Sequence, residues 1–322
     1  MKNETYLREQ IKKHPSARPA DLVKLLYQAR YGAEHLLTDI PAAREYFMRE
    51  FSSVPADDAD LFEEISPDYA RVNFSAWKKK DLPPEWLFRM FALTASRPVQ
   101  TEQAAFSPIH HSEVYREKEH PAYRIVSLKM LRLLPVLKKL SEMPPFSSGL
   151  PEEKKNILIA VDGRAASGKT TLADELGEVL DAGLIRMDDF FLPAKLRTET
   201  RLQEAGGNID YDRFIAEVLP GLVRGKEIIY RPFDCGTMDF SSSRKIPVSR
   251  YRIVEGAYSL HPKFGHYADL SVFCDVSPDE QRKRILLRNG EEMAERFRTE
   301  WIPMEENYIR TFRIKETADI FV

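Results

Sequence analysis

Eight residues, Gly163-Arg164-Ala165-Ala166-Ser167-Gly168-Lys169-Thr170, limit what this chain can fold into more than any other stretch. They match G-x-x-x-x-G-K-[ST] at each fixed position, a pattern that carries meaning when a strand leads in and a helix leads out. Both flanks are present. Ile157 to Val161 is a short apolar run that reads as a buried strand. Leu172, Leu176, Val179 and Leu180 follow at helical spacing, with Asp162 and Gly163 turning the chain between. Glycine lets backbone come close to phosphate, and loop amides with a helix N-terminus offer it partial positive charge. The expected nucleotide-contacting set is Gly163, Ala165, Ala166, Ser167, Gly168, Lys169, Thr170 and Thr171. Lys169 would reach the terminal phosphates, and the Thr170 hydroxyl would ligate Mg²⁺. The expected cofactors are therefore ATP, or another nucleoside triphosphate, and Mg²⁺.

Beyond the loop, strands and helices alternate. Leu184–Met187, Tyr251–Val254, Leu270–Val276 and Ala318–Val322 read as strands. Phe214–Leu222 and Pro278 to about Asn289 read as helices, and Glu227–Tyr230 with Ile246–Val248 as a small antiparallel excursion. Repeated β-then-α units predict an α/β fold, a P-loop NTPase-type parallel sheet flanked by helices. Ahead of it, residues 1–142 predict a mostly α-helical N-terminal domain. Leu22, Leu25, Leu26, Ala29, Ala33, Leu36 and Leu37 form an apolar stripe behind Pro19. Pro41 opens a second helix through Tyr46 and Phe47, and Pro83-Pro84 precede a third through Trp86, Leu87, Met90 and Phe91. Val126, Met130, Leu133, Leu134 and Leu137 mark a last one, which Pro135 should kink or divide. Ser52–Asp60 and the charged, tyrosine-rich run Ser112–Tyr123 read as loops. The Pro/Ser/Gly-rich stretch 143–153 is the expected linker to a domain over 154–322.

A length of 322 residues suits about two domains. The formal charge of −2 gives no support for nucleic acid or an anionic membrane as a bulk partner. Cys235 and Cys274 make neither a metal-type pair nor a disulfide framework, so a reducing cytoplasmic setting is expected. No signal peptide and no membrane-spanning run are visible. His35, His110, His111 and His120 lack metal-ligand spacing.

In open parallel sheets the ligand crevice lies beyond the carboxyl ends of the strands, so the polar residues there are the candidates for chemistry. Asp188 and Asp189 follow the second strand. They suit a general base and a magnesium partner, with a helix N-cap as the plain alternative. Asp188's strand is expected beside the phosphate-loop strand, which would turn its carboxylate to the terminal phosphate. Asp189 should point elsewhere, to water around magnesium or to local backbone. Glu255, ending a later strand, suits a magnesium-side acid.

Taken in order, the loop with Thr170-Thr171, Met187-Asp188-Asp189-Phe190, Asn208-Ile209-Asp210-Tyr211, Phe233-Asp234 and Val254-Glu255-Gly256 resemble the uridine kinase family. That family groups with phosphoribulokinase and bacterial pantothenate kinase. The resemblance covers about 155–322. It implies phosphorylation of a small metabolite's hydroxyl by a nucleoside triphosphate with magnesium. Carried over by motif, Asp188 is the acid that accepts the hydroxyl proton, Asp210 the acid that holds sugar hydroxyls, and Glu255 the acid near magnesium. Phe233 and Arg284 fall on the substrate side. Arg282, Arg284 and Arg288 lie on the helix expected to supply lid arginines, and Arg288, beside Asn289-Gly290, is the best placed for catalysis. Phe191 stands where tyrosine is usual, and Cys235-Gly236-Thr237-Met238 departs from the base-recognition pattern. Kinase chemistry is thus better supported than uridine as acceptor. A second reading is a nucleotide-operated switch or ATPase whose helical half contacts a partner protein. A homo-oligomer is left open.

Overall fold

In the first of two units, Met1–Met143, three strands pair into an antiparallel sheet among helices. The structure is a computed structural model and describes residues 2–32, 37–97, 110–143 and 156–322. Helices α1 (Lys2–Lys13), α2 (Pro19–Tyr31) and α3 (Ile40–Ser53) come first. Strands β1 (Phe62–Glu64) and β2 (Tyr69–Asn73) follow, then α4 (Phe74–Lys79), α5 (Pro84–Ser96) and α6 (Glu113–Glu119). Strand β3 (Tyr123–Ser127) pairs with β2, and α7 (Leu128–Leu131) and α8 (Leu134–Ser141) close the unit.

Three expectations change here. Val126 lies in β3 opposite Ala70, not in the last helix. Its neighbour Ile125 is also β-branched, and such side chains pack well on a pleated surface once a partner strand is present. Pro135 then sits in the first turn of α8, dividing the helical run as expected. Ser112–Tyr123 is not a solvated loop: the Ser112 hydroxyl accepts from the Tyr115 amide at 3.2 Å to cap α6, and Tyr115 is buried. The buried face of α2 mixes polar and apolar residues. Its inward residues are Asp21, Leu25 and Gln28, while Leu26 is 45% exposed. Buried Arg71 on β2 donates to Gln28 at 2.9 Å, so the core has its own polar network to satisfy. His111 joins it through Asp21 and Tyr123. No metal-type cluster of His, Cys, Asp and Glu occurs among the described residues. Ala33, His35 and Leu36, and most of the expected linker, lie outside the described residues.

The second unit, Pro144–Val322, is built on β4 (Ile157–Gly163), buried along its whole length. A strand apolar from Ile157 to Val161 and buried throughout fits only a sheet covered on both faces. The phosphate loop leads into α9 (Lys169–Leu180), then β5 (Gly183–Arg186) and a single 3₁₀ turn, Met187–Phe190. Short helices α10 (Glu199–Gln203), α11 (Tyr211–Arg213) and α12 (Leu219–Val223) precede two hairpins. In these, β6 (Ile228–Tyr230) pairs with β9 (Arg244–Ile246), and β7 (Phe233–Asp234) with β8 (Asp239–Phe240). Strands β10 (Tyr251–Glu255) and β11 (Leu270–Cys274) return to the main sheet. After them come α13 (Pro278–Arg296), α14 (Ile302–Phe312), α15 (Ile314–Thr317) and β12 (Ile320–Phe321). The sheet order is β12-β11-β4-β10-β5, with every pair parallel.

Period-2 alternation assigns the two faces. Leu158, Ala160, Val254 and Phe273 join one buried cluster with Phe214, Tyr308, Ile309 and Ile314. The intervening residues of β4 and β10 face α9, whose Leu172, Leu176 and Val179 are buried. Strand β10 separates β5 from β4, so Asp188 follows a strand one place further out than expected. Both neighbours of β4 come later in the chain, which makes its carboxyl end a topological switch point, where ligands bind in such sheets. Among the described residues no helix is long and apolar enough to cross a membrane.

Candidate active site

Gly163 ends β4 at φ 145°, and a Cβ there would meet the Cys274 carbonyl oxygen at 2.1 Å. Only glycine fits so close to the neighbouring strand. The loop turns back through Ala166 at φ 57° and Gly168 at φ 95°, and α9 starts at Lys169. Gly256, at φ 136° just past β10, is the second such position. A Cβ there would lie 2.8 Å from that of Met187, so this glycine lets the ends of β10 and β5 converge.

That convergence assembles the expected acids. The Thr170 hydroxyl donates to Glu255 Oε1 at 2.8 Å, joining the loop's helix to the end of β10. Arg186, the last residue of β5, donates to Glu255 Oε2 at 3.0 Å and to Asp174 at 2.6 Å. Glu255 is only 4% exposed. Burial pushes its carboxyl above the ordinary range and Asp188 adds to that push, while the Thr170 hydroxyl and Lys169 draw it back. Lys169 rests its ammonium on the Arg164 carbonyl at 3.3 Å.

Asp188 and Asp189 diverge. Asp188 is exposed and makes no hydrogen bond among the described residues, yet its charge raises the carboxyls of Glu255 and Glu305. Asp189 Oδ2 accepts from the Tyr230 hydroxyl and from Arg244, both at 2.7 Å, which places it with the β6–β9 hairpin rather than with Thr170 and Glu255. The segment 208–210 runs antiparallel to 190–192: Phe191 bridges Ile209, and the Asp210 amide donates to the Phe190 carbonyl at 2.7 Å. Asp210 therefore stands in the strand-like segment facing the Asp188 turn. Its Oδ1 accepts from the Arg213 amide at 3.2 Å, which caps α11. Strand β7 also packs against the Met187–Phe190 turn and carries buried Phe233, edge-on to Phe240 at 5.5 Å.

Two arginines of α13 part company. Arg284 donates to the Ala166 carbonyl at 3.1 Å and so touches the loop. Arg288 bonds its neighbour Asn289 at 2.8 Å, and the structure does not bring it to the loop. Gly290, at φ 76° and ψ 174°, breaks the helix just beyond it.

Sequence reasoning missed how α14 grips the loop. Glu305 Oε2 accepts from the Ala165 amide at 2.8 Å, Glu306 pairs with Arg164, and the Tyr308 hydroxyl donates to Asp162 at 2.8 Å. Buried Asp162 also accepts from the amides of Gly163, Tyr258 and Leu260 at 2.7, 3.2 and 3.0 Å. No pattern in the sequence marks Glu305, since its partner is a backbone amide 140 residues away. Arg186 was within reach, as the last residue before the Asp188 turn. An open pocket of about 690 Å³, lined in part by Arg164, Ser277, Gln281 and Ile302, lies beside the loop.

The loop and the parallel sheet around it define a P-loop α/β unit. Over part of its length the chain is similar to nucleoside and nucleotide kinases. It is 28% identical over 128 residues to uridine-cytidine kinase D of Dictyostelium discoideum, covering 38% of this chain and 24% of that protein. With a cytidylate kinase of Pyrobaculum arsenaticum it is 26% identical over 147 residues, covering 44% of this chain and 66% of that protein. The chain thus spans about a quarter of the first relative and just under two thirds of the second. A solved structure of a possible uridine kinase from Bacillus stearothermophilus aligns over 60% of this chain and 99% of its own, at 18% identity and a TM-score of 0.44. No family model matches the chain.

Proposed function

We propose that the second unit transfers the terminal phosphoryl group of ATP, or of another nucleoside triphosphate, to a hydroxyl of a small metabolite. One observation carries this reading. The phosphate loop lies at the switch point with Thr170 bonded to Glu255 at the end of the adjacent strand, while Asp188, whose charge is felt by Glu255, makes no hydrogen bond among the described residues. The similarity to nucleoside and nucleotide kinases supports the class of reaction.

The oxygen donors of Thr170 and Glu255 fit a hard cation that keeps most of its shell for phosphate and water. Those two residues would hold Mg²⁺, whose charge offsets that of the phosphates. Loop amides and Lys169 orient the triphosphate. The pocket beside Arg164 is the place for the nucleoside portion, since concave sites of this size bury small ligands. Arg284, already on the Ala166 carbonyl, is the α13 arginine available to the transferring group. Asp188 accepts the acceptor's hydroxyl proton as the oxygen bonds to phosphorus and the bond to the bridging oxygen breaks. Asp210 and Phe233 face the acceptor from the segments packed on the Asp188 turn.

Turnover of ATP with Mg²⁺ against a panel of nucleosides, sugars and vitamin alcohols tests the reading. Acceptor-dependent release of nucleoside diphosphate is the expected result. An equal rate in a no-acceptor control would favour the ATPase or switch reading instead.

A further inference from the structure

Glu305 is a carboxylate in an unusual place. It is 8% exposed, and its Oε2 takes the Ala165 amide, a donor of the loop that the nucleotide is proposed to bind. The charged groups that face it come from three neighbouring elements. Lys169 approaches from α9, Asp162 from β4 and Asp188 from the turn after β5. Tyr258, from the loop after β10, feels its charge in turn. Arg164 offers it little relief, because that guanidinium is held by Glu306 and Asp275. Lys169 therefore opposes the charges of Asp162 and Asp188 on Glu305, before any phosphate arrives.

From this geometry we infer that Glu305 is a proton-linked latch on the phosphate loop: a bound triphosphate forces its carboxyl to take up a proton from solvent. The inference rests on the nucleotide reading of the loop. A triphosphate brings several negative charges to a loop whose amide already holds one. Two anions close together in a buried site cannot both stay ionised cheaply, so the weaker acid is protonated. Burial has already pushed Glu305 up to about 7, with Asp162 and Asp188 adding to the push and Lys169 and the Ala165 amide opposing it. The proton is thus close to hand at neutral pH. The sign follows. Below that value the carboxyl is already neutral and binding is independent of pH. Above it, binding must draw in a proton, and affinity falls as pH rises.

The test is calorimetric titration of the full chain with a non-hydrolysable ATP analogue and excess Mg²⁺, in paired buffers of unlike ionisation enthalpy. Near pH 8 the expected result is uptake of about one proton per site, with affinity roughly five-fold weaker than at pH 7. Glu305→Gln keeps an acceptor for the Ala165 amide but cannot titrate, so its uptake should vanish and its affinity should stay level across that range. Binding by the parent without proton uptake would overturn the inference while leaving the nucleotide site intact. Uptake that persists in a folded Glu305→Gln protein would overturn it as well. If that variant does not fold, the parent's proton count decides alone. A parent that binds no nucleotide would refute the site reading and this inference together.

Discussion

Asp188 and Asp189 are adjacent in the chain and unlike in their surroundings, and this difference sets the first prediction. Asp189 is engaged by Tyr230 and Arg244, so its role is to hold the turn in place. Asp188 is exposed and without a hydrogen bond among the described residues, as a group awaiting a substrate hydroxyl should be. Asp188→Asn should lower kcat by about 10²–10⁴-fold, the usual range for a positioned acid–base group, with ATP affinity little changed. Asp189→Asn should cost less in kcat and more in thermal stability. Steady-state kinetics and melting curves on both variants separate the roles, and equal mild losses at the two positions would reject the base assignment. Lys169 makes a cleaner case. Among the described residues its one hydrogen bond is to the Arg164 carbonyl, but its charge also steadies the buried carboxyls of Asp162, Glu255 and Glu305, so Lys169→Ala should lower the unliganded melting temperature modestly. ATP should no longer raise it. A variant still stabilised by ATP as the parent is would remove Lys169 from the nucleotide site.

At the scale of elements, the strand–loop–helix unit was the most legible part of the chain. Its apolar run, glycines and helical spacing are local signals, and β4 and α9 formed where they indicated. Sheet order was not legible. The apolar pattern of β5 says that it is partly buried but not that β10 lies between it and β4, because register is settled by packing between distant segments. The grip of α14 on the loop escaped for the same reason, and β3 was hidden because Val126 fits a helical stripe as well as a strand. Asp210 shows two roles laid on one residue. It caps α11, and it stands in the segment beside the Asp188 turn. Asp210→Ala should cost about 1 kcal/mol as a lost cap. If it also holds the acceptor, Asp210→Asn, which keeps the cap, should lower kcat/KM for the acceptor while ATP binding holds steady. Kinetics unchanged in Asp210→Asn would reduce the residue to a cap. Helix α1 carries a pH-dependent anchor. His14 bonds Glu63 at 3.2 Å and Glu119 at 3.0 Å. The bond to Glu63 raises its imidazole above 6.5, against the pull of burial, and Glu119 adds to the rise. A raised folded value means that this stabilisation is complete below pH 6.5 and fades as pH climbs through the shifted value. Hydrogen-exchange protection of α1, corrected for the intrinsic rate, should therefore fall as pH rises above 6.5, and His14→Asn should abolish that dependence.

For the whole molecule, the two units, Met1–Met143 and Pro144–Val322, carry unlike chemistry. The proposed site draws its residues from the second alone, and the first has a core knit by Arg71, Gln28 and Asp21. We propose that they are separable domains. Limited proteolysis should nick between about residues 143 and 153 and leave a fragment that binds ATP. A soluble fragment that never binds it would mean that the N-terminal unit completes the site. The central claim, phosphoryl transfer to a small hydroxyl compound, is tested most directly by following the terminal phosphoryl itself. ATP labelled in that group is incubated with Mg²⁺, the full chain and the acceptor panel, and the products are resolved by mass spectrometry. Label is expected in a phosphate ester of one acceptor class, and should be lost in Asp188→Asn. Label recovered only as inorganic phosphate, at the same rate with or without acceptor, would contradict it.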